Sequence, residues 1–487
     1  MKKTLSLILA AVMAASALAA CGGDGTAAPQ AGDAPAPAET IADTAGTEAE
    51  TRVTDALGSY DFGGADFNIY TRVNTSHYNF CTEEQSGDVL NDAIFLRNSR
   101  IAERFNIVFH ETEYTDENDA KNNIMSGDDT FSLMNVRCTA ANTLGLGGMC
   151  VDISRLPEID LSRPYWDDEL TKQINIGSSQ FAAIGSTNLT VIDFMTALLF
   201  NKELVDRYQL GDLYGIVRSG GWTFDKLGEM AAAVTADLNG DSALNGDDQW
   251  GALGVSKLFC CSFIPSGGAW YIKKDSDNMP YCEMESDSHL IDVFEKIFAV
   301  LVDNSGWYRT SDNTNEGTEY MTMFRDGRGL FLGTLFFYIE SLRDMEHDFG
   351  IVPYPKYDDR QSDYYGRVCF FDTAVIPVTV PDQTMSAAVL EASSCESYNT
   401  VIPAYKEIVL KSKYTRDEDS SQMIDLVMEH RVIDFGDTYL VGEIRDGYFE
   451  ALFRNDKRDL VSAAAKKTKS VDKALGKMID NYSEIAG

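Results

Sequence analysis

Positive charge is scarce in this chain: 41 lysines and arginines stand against 76 aspartates and glutamates, a formal net charge of −35. Lys2 and Lys3 lie in an N-terminal segment that we expect to be removed, which leaves 39 basic residues and a charge of −37 (39 − 76). Nucleic acid and anionic lipid are both bound through basic patches, so the overall balance predicts neither partner. We expect an acidic, well-solvated exterior.

Recognisable catalytic motifs are also missing. The sequence contains no G-x-S-x-G, H-E-x-x-H or P-loop signature. No metal-ligand spacing links the histidines, which are His77, His110, His289, His347 and His430. A surface glycoside hydrolase or lyase stays open as an alternative, because 76 acidic residues could include the pair of carboxylates that glycoside hydrolysis needs.

Cysteine pairs with a C-x-x-C spacing do not occur. Besides Cys21 there are eight cysteines, an even number that permits disulfides outside the cytosol without requiring them. We expect most of them to be small buried side chains. Cys138 and Cys150 are the first pair to test for a disulfide.

Long apolar runs are confined to the N-terminus. Lys2 and Lys3 precede an alanine-rich run over residues 5–20, which is too short for a membrane-spanning helix and predicts a secretory signal peptide over residues 1–20. The sequence LAAC that ends at Cys21 predicts cleavage before that cysteine and acylation of its thiol. Ordinary signal cleavage that leaves a free cysteine is the alternative. An acylated Cys21 would anchor the chain at the extracytoplasmic face of the cell membrane without a transmembrane helix.

Residues 21–56 combine the lipid-bearing cysteine with a stretch rich in Ala, Gly, Pro, Thr and Glu. Such a composition buries too little apolar surface to fold and predicts a flexible tether. About 430 residues follow, more than one hydrophobic core usually serves, so we expect at least two folded units.

Strand and helix patterns alternate from Ala65 onward. Residues 65–70 alternate like a strand, residues 91–105 form an amphipathic helix pattern, and residues 106–113 and 131–137 predict two more strands. This alternation predicts a parallel sheet, whose ligands bind beyond the carboxyl ends of the strands. The rule selects Arg72 and Arg137 as candidate ligand contacts, with solvated surface charges as the alternative.

An oxygen-rich loop follows a helix predicted over residues 222–234 with Thr223 as its N-cap. The twelve residues from 237 to 248 place side-chain or carbonyl oxygens at the ligand positions of an EF-hand-type loop: Asp237, Asn239, Asp241, Ala243, Asn245 and Asp248. This spacing predicts a bound Ca²⁺, although Ser242 replaces the usual glycine and Asp248 is shorter than the usual glutamate. An Asn/Asp-rich turn without metal is the alternative.

The block from Gly221 to Gly251, with Gly-Trp-Thr-Phe-Asp, the loop and Gln-Trp-Gly, resembles the extracellular solute-binding proteins of ABC importers, in particular the carbohydrate-type group. Motifs similar to that family follow in a consistent order from Ala65 to about Ile444, at residues 91–107, 160–167, 201–204, 324–338 and 349–355. The resemblance implies an α/β protein with the two-lobed type II periplasmic-binding fold, each lobe a mostly parallel sheet flanked by helices.

The same resemblance implies the domain boundaries. Residues 57–190 and 346–410 would form lobe 1, and residues 191–345 and 411–487 would form lobe 2 with the C-terminal helices. The segment Phe349–Pro355 would cross back to lobe 1.

The implied function is capture of a small solute, most simply a sugar or oligosaccharide, by a membrane-anchored monomer that delivers it to ABC permease subunits without catalysis. By comparison with the resembling proteins, Phe263, Trp270 and Phe336 are candidate cleft contacts, because aromatic rings stack on the C–H faces of sugars. Asp372 is a further candidate, because it lies near the expected hinge and cleft. Core packing is the alternative for each ring. A glycan-degrading enzyme and a calcium-dependent surface binding or adhesion protein are the alternative functions.

Overall fold

The structure is a computed structural model that describes residues 52–72, 80–309, 318–406 and 417–486. Within it, residues from Arg52 onward form one compact unit. The acylation predicted at Cys21 and most of the predicted tether lie outside the described residues.

The first third of the described chain alternates strands and helices. Its strands are β1 (Ala65–Arg72), β2 (Ile107–Tyr114) and β3 (Leu133–Arg137). Its helices are α1 (Val89–Phe105), α2 (Glu117–Met125) and α3 (Cys138–Leu146). The Asp88 carboxylate caps α1 by accepting from the Leu90 and Asn91 amides, and Asn106 ends the helix in a left-handed conformation. The strands and the helix predicted here are confirmed to within two residues.

The middle of the chain contributes most of the remaining strands. They are β4 (Thr196–Asn201), β5 (Trp250–Leu253), β6 (Lys273–Lys274), β7 (Pro280–Tyr281), β8 (Gly329–Leu335) and β9 (Phe349–Val352). The helices between them are α4 (Asp168–Ile174), α5 (Thr190–Asp193), α6 (Lys202–Arg207), α7 (Leu213–Arg218), α8 (Phe224–Val234), α9 (Cys260–Ser266), α10 (Ser288–Ile297), α11 (Thr318–Arg325) and α12 (Phe336–Ile339). Thr223 caps α8 as predicted, because its side chain accepts from the Lys226 amide.

The last part is mainly helical. It contains the short strands β10 (Gly366–Arg367), β11 (Asp372–Val375) and β12 (Arg431–Val432). Its helices are α13 (Gln383–Glu396), α14 (Ile402–Tyr405), α15 (Glu418–Glu429), α16 (Phe435–Thr438), α17 (Glu450–Arg454) and α18 (Leu460–Ala486). No helix in the described ranges is long and apolar enough to cross a membrane.

Two four-stranded sheets organise these elements. The first has the order β11-β3-β1-β2, with β1 parallel to both β2 and β3 and with β11 antiparallel to β3. The second has the order β5-β8-β4-β9, in which β5 and β8 are parallel and β4 is antiparallel to both of its neighbours. The expected mostly parallel pairing therefore describes the first sheet and not the second.

The crossing from the second sheet to the first lies later than expected. The segment Phe349–Pro355 was expected to cross back, but residues 349–352 are β9, which pairs with β4 inside the second sheet. The crossing is made by residues 368–372, from the bridge between Val368 and Met195 to the pairing of Asp372 with Arg137. An apolar strand followed by prolines gives no local signal of which sheet it will join, and the pairing of β9 with β4 contradicts the expected crossing. The other lobe boundaries stay predictions.

The core is largely continuous between the sheets. One cluster of buried residues includes Val136 and Val375 from the first sheet and Leu199 and Leu332 from the second. The described cysteines are all free, Cys138 and Cys150 included, and six of the eight are buried. They pack as small apolar side chains, as expected, and burial raises the pKa of both the Cys138 and Cys150 thiols to about 12.

Candidate functional site

The carboxyl ends of the parallel strands in the two sheets are joined by two short crossing segments. In residues 368–372 the Cys369 amide donates to the Phe194 carbonyl, beside β4, and three residues later Asp372 enters the first sheet. The second segment runs from Asn188 through α5 to Met195. Both the Asn188 amide group and the Thr190 hydroxyl donate to the Asp372 carbonyl, at 3.0 and 3.3 Å. Four residues of extended chain span about 14 Å at most, so the two sets of strand ends lie close together.

Three of the predicted contacts meet at the first sheet. Arg72 ends β1, and its guanidinium lies 3.6 Å from the Asp372 carboxylate, with both side chains mostly buried. Arg137 ends β3 directly opposite Asp372 and lies 5.8 Å from the centre of the Phe370 ring. The structure thus places Arg72 and Arg137 together at the strand ends, beside Asp372 and Phe370, and ligand contact by Arg72, Arg137 and Asp372 stays a prediction.

The aromatic stretch after β8 lies at the second sheet. The Phe337 ring stacks on Phe194 with centroids 5.6 Å apart, and the Tyr338 side chain is 46% exposed. Phe336, the predicted contact, is fully buried in the core, and its amide donates to the Met195 carbonyl. The exposed ring of this stretch is therefore Tyr338, Phe337 is half-buried, and ligand contact by Phe336 stays a prediction.

A cavity of about 260 Å³ lies at the ends of β5 and β8. Its walls mix apolar and hydroxyl side chains from the loop after β5, from α11 and from β8, with Tyr338 beyond that strand: Val255, Leu258, Thr318, Met321, Thr322, Thr334 and Tyr338 among others. Arg325 also lines it and donates to the Ser341 carbonyl at 2.9 Å. An apolar wall with a few polar groups is the usual make-up of a small-molecule site.

Phe263 and Trp270, the other two predicted contacts, lie elsewhere in the second half. Phe263 is fully buried on α9 and packs edge-on against Phe224, Phe259 and Tyr354. Trp270 is half-buried and lines a separate cavity of about 290 Å³ with Tyr281 and Phe435. The structure thus places Phe263 in the core, and neither ring lines the cavity at the ends of β5 and β8. Ligand contact by either stays a prediction.

A buried charge network holds the loop that lines this cavity. Arg367, at the start of the crossing to the first sheet, donates to the Asp437 carboxylate at 2.6 and 2.9 Å, and Arg445 donates to the same carboxylate at 2.9 Å. Burial alone would raise the pKa of Asp437, but the two guanidiniums hold it below its usual value. Arg367 also donates to the Lys257 carbonyl at 3.0 Å, next to Leu258 in the cavity wall. The network therefore couples the crossing segment to the candidate site.

A second buried acid lies in the other crossing segment. Asp193 is fully buried, and its Oδ1 accepts from the Tyr405 hydroxyl, while Oδ2 has no partner among the described residues. Burial, helped by the nearby Glu340 charge and opposed by the Tyr405 hydrogen bond, raises the pKa of Asp193 to about 7. A carboxyl group in one of the segments joining the sheets thus changes charge near neutral pH.

The oxygen-rich loop is closed by its own hydrogen bonds. The Asp237 carboxylate accepts from the Gly240 and Ser242 amides at 2.7 and 2.8 Å. The fully buried Asp248 carboxylate accepts from the Leu238 and Asn245 amides at 2.9 and 2.8 Å. In the described ranges no group of three or more acidic, histidine or cysteine side chains is placed to hold a metal. In this conformation the Asp237 and Asp248 carboxylates accept from backbone amides of the loop itself, and calcium binding by Asp237, Asn239, Asp241, Ala243, Asn245 and Asp248 stays a prediction.

Comparison with known proteins relates the chain to solved structures only. No family model matches the sequence, and neither does any curated protein. The ABC substrate-binding protein of Listeria monocytogenes in complex with cycloalternan aligns with a TM-score of 0.55 at 11% identity, over 85% of this chain and 99% of that one. The extracellular solute-binding protein of Staphylococcus aureus with maltose gives 0.56 at 12%, over 87% and 99%. The maltose-maltodextrin-binding protein of Alicyclobacillus acidocaldarius gives 0.53 at 9%, over 84% and 100%.

The fold is that of the type II periplasmic binding proteins. The expected fold class is thereby confirmed, with nearly the whole length of each compared protein matched. In this two-lobed fold the sheets β11-β3-β1-β2 and β5-β8-β4-β9 form the cores of the lobes, and residues 188–195 and 368–372 link them.

Several residues of the site were missed by sequence reasoning. Asp437 lies 70 positions from Arg367 in the chain, and no periodicity connects them. Met321 and Thr322 lie on a helix whose pattern indicates only an amphipathic surface element. Tyr338 could have been found, because it ends the apolar stretch over residues 330–338 from which Phe336 was selected.

Proposed function

We propose that this protein is the solute-binding component of an ABC importer and that it captures a sugar or oligosaccharide between its two lobes. The observation that carries the proposal is the fold match over 84–88% of this chain to proteins solved with or named for cycloalternan, maltose and maltotetraose. Those proteins are binding proteins, which supports capture without catalysis.

The chemistry of the strand ends suits such a solute. On the second lobe Tyr338 and Leu258 offer apolar surface for sugar C–H groups, and Thr318, Thr322 and Thr334 offer hydroxyl groups beside them. On the first lobe the Arg72 and Asp372 pair offers charged hydrogen-bonding groups near Phe370. A solute held between these surfaces would lose its water shell and gain partners from both lobes.

The linking segments supply the means of closure. Both are short and are hydrogen-bonded to each other at the Asp372 carbonyl, so small backbone rotations in residues 188–195 and 368–372 would move one lobe against the other. Binding energy from both lobes would favour the closed form.

The protein acts, in this proposal, as a monomer at the outer face of the cell membrane. The acyl chains on Cys21 insert into the membrane and hold the protein there. The protein with its bound solute then docks on ABC permease subunits. The signal-peptide and LAAC pattern supports the anchor.

Tyr338→Ala tests the site directly. A thermal-shift screen over maltose, maltotetraose and cyclic glucans should first give a stabilising sugar, because a ligand that binds only the folded state raises its stability. Titration calorimetry with that sugar should then show about ten-fold weaker binding by the variant, equal to ~1.4 kcal/mol of lost contact. Tyr398→Ala is the matched control, since Tyr398 is similarly exposed, at 38%, and lines none of the cavities described above.

Chromatography of the recovered sugar completes the test. Intact sugar at one equivalent per chain supports the proposal, whereas released hydrolysis products would favour the glycan-degrading enzyme. Equal weakening by Tyr338→Ala and Tyr398→Ala would place the sugar somewhere other than this cavity.

A further inference from the structure

The C-terminal helix α18 is the longest in the described chain, with 27 residues from Leu460 to Ala486. Its buried residues, Leu460, Ala464, Val471 and Leu475, follow a spacing of four, seven and four and so lie on one face. That face rests on the turn at Gly442, which has a positive φ and where an added Cβ would come within 2.9 Å of the Val471 Cα. The helix is therefore seated in one defined rotation against the body.

The opposite face carries a stripe of four lysines: Lys466, Lys469, Lys473 and Lys477. At about 100° per residue they fall within an arc of about 80°, roughly opposite the buried face, over about 16 Å of helix. All four are exposed, and none has an ion-pair partner among the described residues. Elsewhere exposed cations are often paired, as Lys172 is with Asp168 and Arg360 with Asp358.

The stability of the helix does not explain this lysine stripe. Lys469, Lys473 and Lys477 repel one another at i,i+4 spacing, which slightly destabilises the helix. Asp480 and Glu484 follow on the same face in the last two turns, where the helix dipole favours cations instead. The order of charges along the helix is thus the reverse of the stabilising order.

We propose that the lysine stripe of α18 is a docking surface for an anionic lipid bilayer. Four lysines in line on an amphipathic helix match the charge pattern that anionic headgroups attract. The overall charge of −35 does not oppose this locally, because a charge more than about 10 Å away is largely screened in physiological salt. From residue 460 to residue 477 there are five lysines and one aspartate, Asp472.

The proposal rests on the anchoring proposed above. The tether proposed between the acylated Cys21 and Arg52 is 31 residues long (52 − 21), so the body would stay near the bilayer surface. A body tethered so closely meets the bilayer at high effective concentration, so a weak surface is enough to orient it. The acidic remainder of the surface would be repelled, which leaves α18 as the side that faces the lipid.

Vesicle sedimentation tests the lysine stripe without the anchor. The chain from Gly22 onward keeps the whole compact unit and lacks the acylation site. At physiological salt it should sediment with vesicles of phosphatidylcholine and phosphatidylglycerol and not with phosphatidylcholine alone, and high salt should release it. K466Q, K469Q, K473Q and K477Q combined should weaken binding by on the order of five-fold per lysine removed.

A charge-matched variant separates the lysine stripe from net charge. It combines R155Q, K172Q, K226Q and R360Q, which remove the same four charges from other parts of the surface, and it should sediment like the unchanged chain. Equal loss in both variants, or no preference of the unchanged chain for phosphatidylglycerol, would overturn the proposal. So would binding that requires a membrane protein in the vesicles, which would assign the surface to an acidic protein partner. Sugar affinity, measured on the same samples, reports separately on the proposed function.

Discussion

The two concentrations of positive charge in this molecule are built in opposite ways. Arg367 and Arg445 are buried, share the Asp437 carboxylate, and lie beside the crossing segment at Phe370. The lysine stripe of α18 is exposed, and its charges are unpaired among the described residues. A buried cation must have its partner within the fold, because the desolvation cost is otherwise too high, whereas an exposed one has no such need. The first cluster therefore serves the fold, and the second is free to serve an external partner.

Asp437→Asn should cause the largest loss of stability. It keeps the shape of the side chain and leaves the buried Arg367 guanidinium without a counter-charge, while Arg445 keeps only Asp446, so the free energy of unfolding should fall by about 3–5 kcal/mol. Urea denaturation of the variant and of the unchanged chain measures this difference in the free energy of unfolding. The control is Asp358→Asn, whose ion pair with the exposed Arg360 should contribute less than ~1 kcal/mol. A loss at Asp437 as small as the control's would show that the buried network does not hold the fold.

The second largest effect should be a pH dependence of the free energy of unfolding, caused by the buried acids in and near the linking segments. Burial raises the pKa of Asp193 and of Asp434 to about 7, and the charge of Asp437 adds to the effect at Asp434. Between pH ~4 and ~7 the unfolded chain has lost these protons and the folded chain keeps them, so their contribution to stability is lost as pH rises through ~7.

Asp193→Asn removes one of the two groups. The fall in unfolding free energy between pH 5 and pH 8, followed in urea, should be smaller in the variant than in the unchanged chain by at most about 3 kcal/mol, because only the ~2 pH units between 5 and the raised pKa contribute. Identical pH profiles would mean that Asp193 ionises at its ordinary pKa despite its burial.

The acidic loop over residues 237–248 offers a third cluster of charge, negative and exposed, for the same comparison. If calcium binds there, about ten times its dissociation constant should stabilise the protein by ~1.4 kcal/mol, and Asp241→Ala should remove that gain. A melting curve in calcium and in magnesium measures it. An unchanged curve would leave the loop as a turn closed by its own hydrogen bonds.

The lysine stripe should give the smallest effect on stability. The combined K466Q, K469Q, K473Q and K477Q variant removes repulsion and no ion pair, so its unfolding free energy should stay within ~1 kcal/mol of the unchanged chain, with the sign favouring the variant. Urea denaturation of the vesicle-binding samples checks this. A marked loss of stability would instead make the lysines part of the fold.

Local patterns predicted the elements of the fold well. The alternation at residues 65–70 and the helical spacing at 91–105 depend on nearby residues, and β1 and α1 formed where expected. The membership of β9 depends on β4, almost 150 positions earlier, and a local pattern carries no information about that pairing.

The residues of the candidate site also fall into two groups: those that a local pattern or general rule could select, and those that depend on long-range contacts. Arg72 and Arg137 followed from a general rule about strand ends. Phe263 and Phe336 were selected as aromatics in the right stretch, but one-dimensional spacing could not say which ring of a stretch faces the core. The Arg367, Asp437 and Arg445 cluster joins two distant segments of the chain and is visible only once the chain is folded.

Small-angle scattering with and without a stabilising glucan, on the same sample whose sugar is afterwards recovered, tests the central claim most directly. Capture between two lobes predicts a smaller radius of gyration in the presence of the sugar and full recovery of the intact sugar. An unchanged radius at saturating sugar, or recovery of shorter products, would contradict it.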